Sequence, residues 1–263
     1  KIIHVNQVLL KKGAYQASAY GVVPLGALNP IGRQQGTVVD QMDLKLRLDQ
    51  ANLSILPFFT KEVAWAEGQT HGEINVTGTL AQPSITGAIT VNNGTIKLAS
   101  LKNPIQKVGV DIRFEGDTIS LKQFDGSMGK GSYSLTGTAK LQGFSFADYE
   151  LALELKKPEV QSKYFTGVVD GNLKMTSTGT KPKIAGELLF ANNVINIPMF
   201  PDLEASNLDV DLDIGVTVGK KVRFYNPFLY DIIAEGHLKF AGSTLKPNFS
   251  GRIVALRGTV NYL

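Results

Sequence analysis

The sequence predicts an all-β protein: an elongated, twisted antiparallel β-sheet with one apolar face, long enough to curl into a trough or to close, with one or two short helical turns. Three observations support this fold class. Apolar and polar residues alternate along most of the chain, turn residues separate the alternating runs, and only one segment is typical of a helix. Of the 263 residues, 43% are hydrophobic and 27 are glycine, so there is apolar material for a large buried surface and glycine for many turns.

Period-two alternation is the main signal for strands. In one run, Leu151, Leu153 and Leu155 alternate with Glu150 and Glu154. Successive side chains of a strand point to opposite faces of the sheet, so this spacing gives each strand one apolar and one polar face. The same alternation occurs in residues 44–48, 108–114 and 208–214.

Short polar segments predict where the strands turn. Asn-Gly tolerates the positive φ values of tight hairpins, so the segment Asn92-Asn93-Gly94 predicts a hairpin turn. Residues 115–117 and 126–131 predict two more. The single helical segment lies near residues 53–65, and Pro57 within it limits it to one or two turns.

Residues 1–263 are predicted to form a single elongated, repetitive β-groove segment with that short helical insertion. The chain begins and ends in strand-like sequence, at 2–5 and 259–262. We therefore expect it to be a fragment of a longer protein.

An internal repeat organises the chain. The pattern Pro-x-apolar-x-Gly-x-apolar occurs at residues 83–89, 182–188 and 247–253. Proline cannot donate to a β-ladder and therefore marks a strand start, while the central glycine predicts a bend or a close backbone approach. Seven residues after that glycine come Gly94, Asn193 or Gly258, which predict a turn with positive φ. Each block is therefore predicted to be a β-hairpin with one apolar face.

Four segments carry a resemblance to a known family. Residues 78–87 (GTLAQPSITG) resemble the recurring element of the TamB and AsmA-like proteins of diderm bacteria. Residues 52–59, with Gly68 and Gly72 after them, and residues 131–137 are also similar to sequences of that family. Residues 236–262 resemble the approach to the TamB C-terminal domain, which would place this chain just before that domain.

The resemblance implies a half-pipe sheet with a hydrophobic concave face that spans the periplasm and delivers phospholipid from the inner to the outer membrane. It also implies an inner-membrane anchor outside this chain. An alternative implied role is a periplasmic scaffold for the translocation and assembly of outer-membrane proteins, including autotransporters, by β-strand augmentation. In that role the partner is a BamA-like or TamA-like barrel, contacted through the C-terminal domain expected beyond this chain.

The candidate site is the apolar face itself, and its expected partner is the acyl chains of phospholipids. A continuous apolar track offsets the cost of moving acyl methylenes through water, about 0.8 kcal/mol for each. The alternative left open is that the same side chains pack on one another as a sandwich core. The residues predicted to line the groove are Ile74, Val76, Ile85, Ile89, Val91, Ile96, Leu98, Val110, Ile112, Phe114, Leu135, Leu151, Leu153, Leu188, Phe190, Leu208, Val210, Leu212, Leu238, Phe240, Phe249 and Ile253.

Signals for chemistry are weak throughout. There is no cysteine, and the three histidines have no metal-ligand neighbour at helical spacing. Asp209, Asp211 and Asp213 could bind calcium, but a solvated strand face is the favoured interpretation. The net charge of +4 is spread without a basic, aromatic-interleaved stripe, which argues against nucleic-acid binding. We therefore expect no enzyme activity, no metal site and no cofactor.

Overall fold

A computed structural model of the protein describes residues 2–12, 15–24, 41–48, 51–58, 60–79, 81–178, 181–196 and 209–261. Strands account for 83% of these residues, and a 3-10 helix at Leu53–Phe58 is inserted between the fourth and fifth strands. The strands are β1 (Ile2–Lys12), β2 (Tyr15–Pro24), β3 (Met42–Arg47), β4 (Ala51–Asn52), β5 (Val63–Gly78), β6 (Pro83–Leu98), β7 (Ile105–Gly116), β8 (Thr118–Met128), β9 (Gly131–Gln142), β10 (Ser145–Gln161), β11 (Phe165–Thr178), β12 (Lys183–Ile195), β13 (Asp211–Asn226), β14 (Tyr230–Ser243) and β15 (Lys246–Val260).

Across the described residues, all the strands belong to one 15-stranded sheet that follows chain order from β1 to β15, with β4 paired to β5 beside the main path. The sheet is open and curled, which confirms the predicted half-pipe. Neighbouring strands pair antiparallel except β12 and β13, which are parallel. No feature of the sequence indicated that parallel pair.

The strand register places apolar residues opposite apolar residues across the sheet. Val76 is paired with Ile85, and Leu153 is paired with Leu135 on one side and Leu173 on the other. Directly paired residues of neighbouring strands project from the same face. The register therefore joins the apolar sides of individual strands into one apolar face, as the alternation predicted.

A row of β-bulges bends the strands. Non-glycine residues with positive φ occur at register shifts in β6, β7, β10, β12 and β13, namely Asn93, Lys107, Lys157, Asn192 and Lys221. A bulge bends its strand and increases its twist. Because the shifts fall at similar levels in successive strands, they form a row across the sheet, and the sheet curls along this row. The row divides each of these strands into a longer part, the long arm, and a shorter part, the short arm.

The repeated blocks are bent strands, so the prediction of hairpins was wrong. The segment Asn92-Asn93-Gly94 lies inside β6, where Asn93 has a φ of 53° within a bulge. In β12 the left-handed residue is likewise one position before the predicted one, because Asn192, not Asn193, has a φ of 59°. In β15 the predicted residue, Gly258, itself has a φ of 153° and lies within the strand. A bulge and a tight turn require the same left-handed φ, and the paired strand decides between them.

The two other predicted turns are hairpins. Gly116, with a φ of 73°, joins β7 to β8, and Gly129, with a φ of 63°, joins β8 to β9. The 3-10 helix is shorter than the segment predicted for it, because β5 already begins at Val63.

The central glycine of each repeated block lies at a close approach of two strand backbones, as the pattern predicted. Gly87, Gly186 and Gly251 have φ values of 129°, 146° and 127°, which side-chain-bearing residues rarely adopt. At each of the three, an added Cβ would collide with a carbonyl oxygen of the neighbouring strand. The glycine therefore permits close approach of two strand backbones.

Candidate functional site: the apolar trough

The predicted lining residues that lie in paired strands share the apolar face of the sheet, which we call the trough. Their registers connect them strand by strand from β5 to β15. Val210 precedes β13 and is 5% exposed, whereas Leu208 lies outside the described residues. The arrangement brings the other predicted residues together on one surface.

The deepest part of the trough lies along the row of bulges, and we call it the seam. Val108 and Val222 are 0% exposed there, although no second sheet covers them in the described part of the chain. They are enclosed by side chains of the short arms: Ile96, Ile105 and Met128 belong to the cluster of Val108, and Ile195 and Phe224 pack against the cluster of Val222. Around Val108 the seam includes Val91 and Ile96, and around Val222 it includes Val216 and Val218.

Outside the seam, most lining side chains of the long arms are only half-buried, and the predicted lining residues Phe249 and Ile253 of the last strand, β15, are exposed. Ile89, Ile112, Leu153 and Leu212 all have this intermediate exposure. The sandwich-core alternative therefore holds only for the seam, where side chains do pack on one another. Along the long arms, the described residues leave an apolar surface with no protein layer over it.

Sequence reasoning missed several seam residues. Val108, Val218, Val222 and Ala234 are among the most buried side chains, yet the predicted lining did not include them. The available signal was a break in the alternation: Val216 and Val218 keep period two, but Lys220 occupies the next apolar position before Val222. Such an interruption inside an alternating run is the sequence mark of a bulge.

Aromatic pairs join neighbouring strands along the trough. The ring centroids of Phe240 and Phe249 are 5.1 Å apart in an edge-to-face arrangement, and those of Phe124 and Tyr133 are 5.5 Å apart. The Tyr133 hydroxyl is buried and has no hydrogen-bond partner among the described residues, and burial raises the pKa of that hydroxyl. The seam is therefore a water-poor environment.

The opposite, outer face is polar and carries cross-strand ion pairs. Lys181 Nζ lies 2.9 Å from Asp209 Oδ2 and 2.6 Å from Asp211 Oδ1, and Lys239 Nζ lies 2.9 Å from Asp213 Oδ1. The hydrogen bond from Lys181 lowers the pKa of Asp209, and the hydrogen bond from Lys239 lowers the pKa of Asp213. These aspartates are thus paired with lysines on a solvated face, as favoured over a calcium site.

The 3-10 helix covers one end of the seam. Leu53, only 9% exposed, packs into a space left by two glycines: a Cβ added at Gly94 would lie 3.0 Å from Leu53 Cδ1, and one at Gly68 would lie 3.3 Å from it. Leu56 packs against the same seam cluster. The helix is therefore anchored in the trough because Gly68 of β5 and Gly94 of β6 leave space for the Leu53 side chain.

The site offers apolar contact rather than reactive groups. Among the described ranges, no cluster of three or more histidine or carboxylate side chains is arranged to hold a metal ion. None of the helical structure in those ranges has the length and apolar character needed to cross a bilayer.

Comparison with known proteins gives a family match. Residues 31–126 and 122–211 match the family model described as the TamB C-terminal domain. The sequence had placed this domain after the end of the chain, and the match within residues 31–211 corrects that placement. A rice protein (Oryza sativa subsp. japonica), Protein SUBSTANDARD STARCH GRAIN 4, chloroplastic, is 20% identical over 137 residues. That alignment covers 51% of this chain but 6% of the rice protein, and no solved structure matches the chain.

Proposed function

This chain belongs to the TamB family, and on that premise we propose that it is a section of a conduit that carries phospholipids across the periplasm between the inner and outer membranes. The family consists of non-enzymatic transport and assembly proteins of the bacterial envelope. Within the proposal, the trough binds the acyl chains, and a tether to the inner membrane lies elsewhere in the protein.

The observation that carries the proposal is the continuity of the apolar face. Where the strands are paired, the long-arm residues that the register places on the apolar face run from β5 to β15 without a charged side chain, including Ile112 in β7, Leu153 in β10, Leu188 in β12 and Phe240 in β14. At about 4.8 Å per strand, the whole sheet extends roughly 60 Å along the trough. A lipid can therefore move from strand to strand without leaving apolar contact.

The energetics favour such a track. A diacyl lipid buries about 30 methylenes, so its transfer through water costs on the order of 20 kcal/mol at about 0.8 kcal/mol per methylene. An apolar lining offsets this cost at every position along the path. Because the long arms are uncovered by protein in the described residues, the polar head group can remain in water while the chains lie in the trough.

The test uses two adjacent residues of β10 that project from opposite faces. Leu153 is half-buried in the trough, and Ala152 is exposed on the outer face. Leu153→Asp places a charge in the acyl path, whereas Ala152→Asp places the same charge in solvent. We expect Leu153→Asp to abolish uptake and transfer of a fluorescent phospholipid, while Ala152→Asp and Leu153→Met retain them.

Circular dichroism of the three variants is the control for folding, and we expect each variant to keep its strand content. Equal lipid transfer by Leu153→Asp and Ala152→Asp would contradict the proposal. So would failure of the unmodified chain to take up any lipid after delipidation.

A further inference from the structure

One edge of the sheet carries a cluster of lysines that the proposed function does not yet use. Three connections meet at the short-arm ends of β5 to β11: residues 60–62 before β5, residues 99–104 between β6 and β7, and residues 162–164 between β10 and β11. The β8–β9 turn at 129–130 lies beside them. Their exposed lysines, which we call the basic rim, are Lys61, Lys102, Lys130 and Lys163.

Hydrogen bonds hold these connections together. Ala99 N donates to Glu62 O at 2.9 Å, which joins the segment before β5 to the β6–β7 connection. Lys102 N donates to Gln161 O at 2.7 Å, and this joins the same connection to the end of β10. Lys130 N donates to Glu159 Oε1 at 3.3 Å. The four lysines therefore come from distant parts of the sequence to one short stretch of edge.

The charge at this edge is predominantly positive. The carboxylates described within the same connected group are Glu62 and Glu159, and the side chain of Glu159 is directed to the Lys130 backbone. Two lysines at bulges close to this edge, Lys107 and Lys157, are also exposed. Because Lys107 shares a pocket with Asp125, Glu154 and Lys156, the excess of positive charge at this edge rests on the basic rim itself.

The basic rim borders the seam within one or two residues. Leu101 precedes Lys102 and packs against the seam, and Met128, two residues before Lys130, is a buried member of it. Val63 and Val160, near Lys61 and Lys163, also pack against the seam. Apolar and cationic surfaces therefore adjoin along this edge, which is the pattern that an amphiphile with a negative head requires.

The opposite edge, at the long-arm ends, has no such excess. Lys181 is paired there with Asp209 and Asp211, and Lys183 with Asp213. Asp148 lies directly across from Lys140, and Asp117 lies in the β7–β8 turn. The exposed side chains Phe144 and Leu245 occupy two further turns. The two edges of the trough thus differ in charge.

From this asymmetry we infer that the basic rim is a head-group site: it binds the phosphate of the lipid and orients that lipid with its head at this edge and its chains in the trough. The inference rests on the proposed function and adds to it a binding site for the head group. The trough supplies affinity for the chains, and the rim selects phosphate over an uncharged head and sets the orientation of the lipid across the sheet.

The test compares two lipids and two variants. The probes are pyrene-labelled phosphatidylglycerol and the diacylglycerol with the same acyl chains, each titrated against the delipidated chain. The rim variant is K61E/K102E/K130E. The matched control is K140E/K183E/K246E, which makes the same change in net charge at exposed lysines near the long-arm ends.

We expect the unmodified chain and the control to bind phosphatidylglycerol roughly tenfold or more tightly than diacylglycerol. The rim variant should lose that preference and keep its affinity for diacylglycerol, which also shows that its trough is intact. Millimolar inorganic phosphate should not displace the labelled phospholipid, because the rim alone lacks the contribution of the chains.

Several outcomes would overturn the inference. They are an unchanged lipid preference in the rim variant, equal loss of preference in the control, or binding of inorganic phosphate as tight as that of the phospholipid. Binding to anionic vesicles without extraction of a lipid would also overturn it, since the rim would then dock on a membrane surface. Uptake of neither lipid by the unmodified chain would instead refute the proposed function.

Discussion

A side chain at Gly87 would place its Cβ 2.0 Å from the carbonyl oxygen of Glu73 on the neighbouring strand. The φ of Gly87 is 129°, so both the space and the backbone conformation exclude other residues. We therefore expect Gly87→Ala to lower the free energy of unfolding by about 2 kcal/mol or more, measured by urea denaturation.

Gly116 provides the matched control. It also has a positive φ, 73°, but its Cβ position is open, with Ser84 Oγ 4.0 Å away. Asparagine tolerates this left-handed φ, so Gly116→Asn should cost well under about 1 kcal/mol. If Gly87→Ala were as mild as Gly116→Asn, the close approach of β5 and β6 described here would be incorrect.

The Tyr133 hydroxyl leads to a prediction for both stability and pH. A buried hydroxyl without a partner is costly, so Tyr133→Phe should leave stability unchanged or raise it by up to about 1 kcal/mol. Because burial raises the pKa of Tyr133 above its ordinary value of 10.0, the unfolded chain ionises first as the pH rises. Stability should therefore fall above pH 10.0, and it should fall less in Tyr133→Phe.

Tyr133→Leu is the companion variant, because it also removes the edge-to-face contact with Phe124. It should be less stable than Tyr133→Phe at neutral pH. A clear loss of stability in Tyr133→Phe would show that the hydroxyl has a partner, contrary to the structure.

The packing of the 3-10 helix into the trough can be tested at Leu53. This side chain is 9% exposed and packs where Gly68 and Gly94 have none. Truncation to alanine leaves a cavity, so Leu53→Ala should destabilise the chain by about 2–4 kcal/mol in thermal or urea denaturation. Leu256→Ala, at a site 56% exposed, is the control and should cost less than about 1 kcal/mol. Equal losses would mean that the helix does not pack into the trough.

The sequence predicted the faces of the sheet better than its bends. Alternation such as that of Leu151, Leu153 and Leu155 is local and directly sets which side chains share a face, and the register confirms it. The bulge at Asn93 was misread as a hairpin turn because asparagine and glycine favour left-handed φ in both structures. Only the pairing with β5 and β7, which is non-local, distinguishes the two.

The residues of the candidate site also differ in how well the sequence predicts them. The half-buried lining residues of the long arms follow from alternation alone, whereas the buried seam depends on where successive bulges line up. Val222 is 0% exposed because the bulge at Lys221 bends β13 at that level. The basic rim could not be predicted from the sequence either, because Lys61, Lys102 and Lys130 come together only through hydrogen bonds between connections that are distant in sequence.

Site-specific photocrosslinking along β10 tests the central claim most directly. A photoreactive amino acid is placed in turn at residues 150 to 155, and the chain is irradiated with bound phospholipid. We expect lipid adducts at Leu151, Leu153 and Leu155, which face the trough, and none at Glu150, Ala152 and Glu154, which are exposed on the outer face. Adducts without this alternation, or adducts on the outer face alone, would contradict a lipid path along the apolar trough.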